Sequence, residues 1–260
     1  MGQYEDDRDR ALTDPSGFWL EAAHRIDWVR EPTVGLDASA APLYRWFSDG
    51  VLNTCANAVD RHVAAGRGDR VAIRYDSPVT GTKAAITYGA LLDMVARFAG
   101  VLADLGVRRG DRVLVYMPMI PEAVVAMLAC ARLGAVHSVV FGGFAPAELA
   151  ARIDDAEPTV IVAASCGIEP SRVVAYKPLL DEALSLARHT PIASVLLQRP
   201  QAPAQLGEHG VDWQERMAVA DPHPVVPVGA TDPLYILYTS GTTGRPKGVV
   251  RDNGGHAVPR

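Results

Sequence analysis

The 260-residue sequence predicts an α/β fold, a mostly parallel sheet flanked by helices and preceded by a helical N-terminal extension. Three observations predict it. From Val71 onward, short runs rich in β-branched residues alternate with longer segments whose apolar residues recur at helical spacing. Glycine and proline punctuate the joints between them. The first sixty or so residues lack this rhythm and hold three of the four tryptophans, Trp19, Trp28 and Trp46, which marks them as an extension packed onto a larger body.

In the extension, Phe18, Trp19, Ala22, Ala23 and Ile26 stand near helical spacing, with Ser16 as the expected N-cap. A turn is expected at Asp49-Gly50, then an amphipathic helix ending near Gly66. "VAIRY" and "AAITY" flank the turn-rich "DSPVTGTK" and predict a hairpin. Thr87 caps a helix carrying Leu91, Leu92, Val95, Phe98, Ala99 and Leu102 and stopping at Gly106. "RVLVYM" reads as a buried strand. "PEAVVAMLACARLG" follows as a helix opened by Pro121 and stopped by Gly134, and "AVHSVVF" is the next strand. A helix over 146–154, a strand over 159–163, a helix over 178–188 and a strand over 193–197 continue the alternation. The stretch 200–227, rich in Pro, Gln, Gly and His, reads as a surface connection, and "PLYILYTS" restores order as a strand.

Composition excludes several function classes. A hydrophobic fraction of 48% with 21% charged residues fits a soluble domain with a real core. The net charge of -5 gives no electrostatic reason to seek nucleic acid or an anionic membrane, so neither is an expected partner. The longest apolar stretch, 124–144, is interrupted by Arg132, Gly134 and His137, which makes it core and not a bilayer span. The charged opening "MGQYEDDRDR" carries no secretory signal. Cys55, Cys130 and Cys166 are odd in number and far apart, with no CxxC spacing. Neither a disulfide framework nor a zinc site is expected, and the location expected is the reducing cytoplasm. The seven histidines show no metal-ligand spacing, and no metal ligand is assigned.

The stretch that carries chemistry is "YTSGTTGRPKG" at 238–248. Phosphate oxygens are satisfied by backbone N–H groups converging on a concave loop, and glycines let that backbone come close. Gly241 and Gly244 supply the freedom; Thr239, Ser240, Thr242 and Thr243 supply hydroxyl donors; Lys247 adds a mobile positive charge, with Pro246 stiffening the approach to it. The spacing differs from GxxxxGK[ST]: the second glycine follows at three, and Gly248 stands where a magnesium-binding hydroxyl would. Common P-loop NTPases are thereby disfavoured. A flexible Gly/Thr linker is the competing reading, which the preceding apolar strand and the lysine argue against.

"YTSGTTGRPKGVV" resembles the signature loop of the adenylate-forming enzymes, the superfamily of acyl-CoA synthetases, luciferases and peptide-synthetase adenylation domains. "RDNGGHAV", "YMPMIPEAVVAMLACARLGAVHSVVFGGFAPAELAARI" and "CGIEPSRVVAYKPLLDEAL" are similar to the short-chain acyl-CoA synthetases, nearest the propionate-activating branch, with the acetate-activating branch next. The resemblance implies an N-terminal extension of the acetyl-CoA-synthetase type at 1–62. It implies the N-terminal portion of the AMP-binding (adenylation) large domain at 63–260, ending soon after the phosphate loop. It further implies ATP, Mg2+ and coenzyme A as substrates and ion of the complete enzyme, with a short-chain carboxylate as the acid activated.

Residue by residue, the resemblance places Thr239, Ser240, Gly241, Thr242, Thr243, Gly244 and Lys247 at the ATP phosphates. It places Phe141, Gly142 and Gly143 at the CoA entrance, a strand-ending turn being the competing reading. Arg172 matches a CoA-phosphate arginine, suited to bidentate contact, against the alternative of a free surface arginine; Glu169 to Ser171 come with it, the acidic residue sitting oddly beside phosphate. The family's catalytic lysine lies in a C-terminal domain, so no catalytic residue is assigned. The expectation is a ligase segment unable to complete the reaction alone, its open strand edges inviting aggregation. The alternative is a non-catalytic nucleotide- or CoA-binding fragment or partner module.

Overall fold

The computed structural model describes residues 2–239 and 246–258. Two helices open the chain, α1 (Gln3–Thr13) and α2 (Pro15–Ala23). Asp14, not Ser16, caps α2: its carboxylate accepts from Gly17 N at 2.9 Å. Ser16 instead accepts from Leu36 N at 3.2 Å, tying α2 to the short pair β1 (Leu36–Asp37) and β2 (Arg45–Trp46). β3 (Val51–Leu52) follows, then a π-helical turn at Ala56–Asp60 running into α3 (Arg61–Ala64). The tryptophans pack as expected: Trp19, Trp28 and Trp46 surround a small core of Ala23, Phe47, Leu52, Ala230, Ala257 and Val258.

The hairpin β4 (Val71–Ser77) and β5 (Thr82–Thr87) leads into α4 (Tyr88–Asp104), where the Thr87 hydroxyl accepts from Ala90 N at 3.2 Å. Next come β6 (Arg112–Met117), α5 (Pro121–Leu133), β7 (Val136–Phe141), α6 (Pro146–Ala156) and β8 (Val160–Ala164). Gly134 ends α5 in the left-handed conformation, at φ 69. A second hairpin, β9 (Cys166–Glu169) with β10 (Arg172–Ala175), precedes α7 (Tyr176–Leu186) and β11 (Ala193–Leu197).

The supposed surface connection is ordered. It holds β12 (Gly210–Asp212) and α8 (Trp213–Val219), and Trp213 is buried, stacked on Phe98 at 3.7 Å between ring centroids. β13 (Val228–Gly229) pairs with β3. β14 (Pro233–Thr239), β15 (Lys247–Asp252) and the short α9 (Asn253–Ala257) complete the described chain.

The main sheet has seven strands in the order β12-β11-β8-β6-β7-β14-β15, parallel throughout except for the antiparallel β14–β15 pair. Both faces of its centre are buried, so β6, β8 and β11 are almost wholly apolar. Val113, Val115 and Met117 of β6 face the core under α4, α5 and α8. Leu114 and Tyr116, the alternate residues, face the core under α6 and α7. Among the described residues no helix is long and apolar enough to cross a membrane. All three cysteines are free and buried.

Candidate functional site

Five of the strands run β7-β6-β8-β11-β12, so the chain starts at β6, steps to one side and then returns to the other. In open parallel sheets this reversal opens a crevice at the carboxyl ends of the strands, which is where ligands sit. The turn after β7 and the exit of β14 lie on that same edge, because β7 and β14 are parallel neighbours.

The "FGGF" turn after β7 is held from below by two tyrosines. Gly143 N donates to the Tyr116 hydroxyl at 3.2 Å, and Tyr116 O–H donates to the Phe144 carbonyl at 3.3 Å. Burial pushes the Tyr116 phenol up from its ordinary value, which keeps that proton in place. Tyr176 packs against Tyr116 with ring centroids 5.1 Å apart. A Cβ on Gly142 would stand 2.5 Å from the Tyr176 ring, and one on Gly167 would collide with the Tyr176 hydroxyl. Gly143 has φ 95 and open space where its Cβ would be. Gly142 is therefore required by packing and Gly143 by backbone conformation, while Phe141 stands 68% exposed at the rim.

Two of the residues expected at the ATP phosphates are placed by the β14–β15 ladder. Thr239 and Lys247 are direct partners in register, and Thr239 Oγ1 donates to the Lys247 carbonyl at 3.5 Å. Directly opposed residues project to the same face of a sheet, so hydroxyl and amine start from one side. Lys247 is exposed. Ser240, Gly241, Thr242, Thr243 and Gly244 lie outside the described residues. Beside the ladder, Ala151, Asp154, Asp155, Arg188, Tyr238 and Pro246 line a cavity of about 360 Å³.

Sequence reasoning passed over what joins these parts. Tyr238 O–H donates to Asp155 on α6 at 2.6 Å, and burial together with this bond raises the Tyr238 phenol well above its ordinary value. One turn earlier on α6, the Arg152 guanidinium lies 4.9 Å from the Phe144 ring centroid and 5.4 Å from that of Tyr238. The signal was an arginine set between Leu149, Ala150 and Ile153 on the buried stripe of a helix.

Arg172 stands exposed on β10, opposite Glu169 on β9, and its Nε donates to that carboxylate at 2.8 Å. This bond raises the arginine above its ordinary value. Glu169, odd beside phosphate, is thus the arginine's partner in this structure. The base of the hairpin meets the "FGGF" turn through Tyr176, which touches both Gly142 and Gly167.

Among the described residues no group of three or more His, Cys, Asp or Glu side chains is placed to hold a metal ion. A second cavity of about 350 Å³ lies between α5, β7 and β14, with walls from Val124, Met127, Leu128 and Leu237. His137 lines it; its Nδ1 is buried without a hydrogen-bond partner, and burial first, then nearby His256, lowers its pKa to about 4.

A mostly parallel sheet whose carboxyl edge carries the exits of β7 and β14 has the layout of the α/β domains that bind ligands at that edge. The chain belongs to the family described as AMP-binding enzyme, which matches residues 60–257. Residues 4–58 match the description acetyl-coenzyme A synthetase N-terminus. Among curated relatives, "Acyl-CoA synthetase short-chain family member 3, mitochondrial" of Mus musculus is 52% identical over 260 residues, covering 99% of this chain and 38% of that protein. "Acetyl-coenzyme A synthetase" of Streptomyces avermitilis is 48% identical over 249 residues, 95% of this chain and 38% of that one. Among solved structures, acetoacetyl-CoA synthetase from Streptomyces lividans superposes with a TM-score of 0.90 at 28% identity, covering all of this chain and 40% of that one. The chain spans about two-fifths of the length of these relatives.

Proposed function

We propose that these residues form the nucleotide-facing and CoA-facing part of an AMP-forming acyl-CoA synthetase for a short-chain carboxylate, propionate favoured and acetate next. Residues 1–62 serve as its N-terminal extension and 63–260 as the first part of its adenylation domain. The compartment we assign is the cytoplasm, in keeping with three free buried thiols. The preference for propionate rests on sequence resemblance; the names of the relatives support short acyl groups in general.

One observation carries the reading: the carboxyl edge gathers the strand exits that flank the hydroxyl- and glycine-rich loop, with Thr239 and Lys247 locked opposite each other. In the proposed reaction a carboxylate oxygen attacks the α-phosphorus of ATP, pyrophosphate departs, and an acyl-adenylate forms. The CoA thiolate then attacks the acyl carbon and AMP departs. Lys247, Thr239 and the loop residues Ser240, Gly241, Thr242, Thr243 and Gly244 would hold the β- and γ-phosphates, where negative charge gathers as pyrophosphate leaves. Magnesium would arrive on the nucleotide as part of the substrate. Phe141, Gly142 and Gly143 would border the passage of CoA, and Arg172 would exchange Glu169 for a CoA phosphate, trading one charge-assisted bond for another.

Calorimetric titration of the 260-residue chain with MgATP tests the reading. Binding is expected, and Lys247→Ala should weaken it about tenfold, the loss of roughly one charge-assisted contact. A wild-type chain that binds no MgATP, or a variant that binds it equally well, overturns the reading. Full turnover is assigned to a polypeptide of the relatives' length. Pyrophosphate exchange with propionate by the 260-residue chain alone would refute that assignment.

A further inference from the structure

Tyr176 opens α7, where its backbone N–H donates to the Ser165 carbonyl at 2.9 Å, and the residue is 6% exposed. The phenol end of its ring has a glycine on either edge. A Cβ on Gly142 would stand 2.5 Å from Cε2, and one on Gly167 would stand 2.8 Å from Cε1 and closer still to the hydroxyl oxygen. The ring thus fills the gap between the "FGGF" turn and the β9–β10 hairpin, and both reach it because neither carries a side chain at that point. Residues two apart on a strand project to one face, and directly opposed residues share that face. Gly167, Glu169 and Arg172, the last paired with Glu169, therefore lie on the hairpin face that rests against the ring. On the other side the turn is pinned to Tyr116, whose ring backs Tyr176 at 5.1 Å between centroids.

We propose that Tyr176 is a positioning residue that sets the spacing between the "FGGF" turn and Arg172, so that one CoA molecule meets both. The inference rests on the reading that Phe141, Gly142 and Gly143 border the passage of CoA and that Arg172 takes a CoA phosphate. A ligand that spans two elements gains from the second contact only where their separation is right to within about half an ångström. The hairpin is paired only with itself, so its own ladder does not fix where it stands relative to the turn. A flat ring packed between two glycines does, because its width cannot change. Leucine at this place would leave space on both edges and let the hairpin face settle inward, carrying Arg172 with it.

Calorimetry on the 260-residue chain measures the CoA dissociation constant for the wild type, Tyr176→Leu, Arg172→Ala and the double variant. Each single change should weaken CoA about tenfold, the loss of roughly one charge-assisted contact. Because Tyr176 acts by placing Arg172, the double variant should also stand about tenfold below wild type, not about a hundredfold. Tyr176→Phe, which keeps the ring and loses its outermost atom, should bind within about threefold of wild type. Losses that multiply in the double variant mean a merely structural role and overturn the proposal. Should Tyr176→Leu fail to fold, Gly167→Ala crowds the ring from the hairpin side with Tyr176 and Arg172 both in place. It must weaken CoA, and lose that effect once Arg172 is removed, or the proposal falls. If Arg172→Ala weakens CoA and Tyr176→Leu does not, the proposal alone is refuted and the functional reading stands. A wild-type chain that binds no CoA, or an Arg172→Ala chain that binds it like wild type, refutes the CoA reading and the proposal together.

Discussion

Asn53 donates its side-chain amide to three carbonyls from two regions of the chain: Ala131 at 2.8 Å, Arg132 at 3.2 Å and Val226 at 2.8 Å. Its own oxygen accepts from Ala56 N at 3.0 Å, and the residue is 2% exposed. Asn53→Leu leaves these buried groups without partners, and urea denaturation should show a loss of about 2–4 kcal/mol. Next to it, buried Arg132 donates to both oxygens of Asp60 at 2.9 Å and, through Nε, to the His223 carbonyl at 2.7 Å. Together these groups join α5 to the π-helical turn and to the segment after α8. His137 sets a pH dependence. With a folded pKa of about 4 against an ordinary value of 6.5, it stays neutral where the unfolded chain takes up a proton. Its contribution is absent above pH 6.5, grows unfavourable as pH falls toward 4, and reaches at most about 3 kcal/mol. Melting temperatures recorded across that window should fall more steeply for the wild-type chain than for His137→Gln.

At the scale of elements, α8 is the informative case. It is seven residues long, too short to show a periodic stripe, and only Trp213 among its residues is buried. Yet that one side chain stacks on Phe98 of α4 and closes the main core. Trp213→Ala should cost about 3–5 kcal/mol in chemical denaturation, as expected for emptying an aromatic site in a core. The elements legible in the sequence were those announced by local chemistry. Thr87 at a helix start, Gly106 and Gly134 at helix ends, and Pro121 in a first turn each act on their own backbone. β12 and α8 owe their places to partners elsewhere in the chain, β11 and Phe98, while the β9–β10 hairpin is a local pair and Asp212 a local cap whose short elements the sequence reading passed over. The site divides the same way. The hydroxyl- and glycine-rich loop was readable as a motif, and the "FGGF" turn as a break after a strand. Tyr116, Tyr176, Arg152 and Asp155, which hold those pieces against one another, became visible only when α6 and α7 folded across the sheet.

Across the whole molecule the two ends of the sheet differ. The β12 edge is three residues long, whereas β15 offers six, with Val249 46% and Val250 57% exposed and Leu237 of β14 exposed beside them. A long apolar edge is a template for pairing with another chain. Sedimentation at increasing concentration should therefore show self-association, and Val250→Lys should shift the population toward monomer; a wild-type chain that stays monomeric over that range sinks this expectation. Lys247 and Arg251, on the same edge, already limit such pairing by placing positive charge at both ends of the exposed valines.

The Thr239–Lys247 rung has one more implication. Because the ladder pairs Thr239 with Lys247, the separation of their backbones is dictated by strand geometry and stays the same however many residues stand between them. Lengthening or shortening the intervening stretch by a residue would leave the lysine at its station, whereas a one-residue slip of β15 against β14 would swing the amine to the opposite side of the sheet.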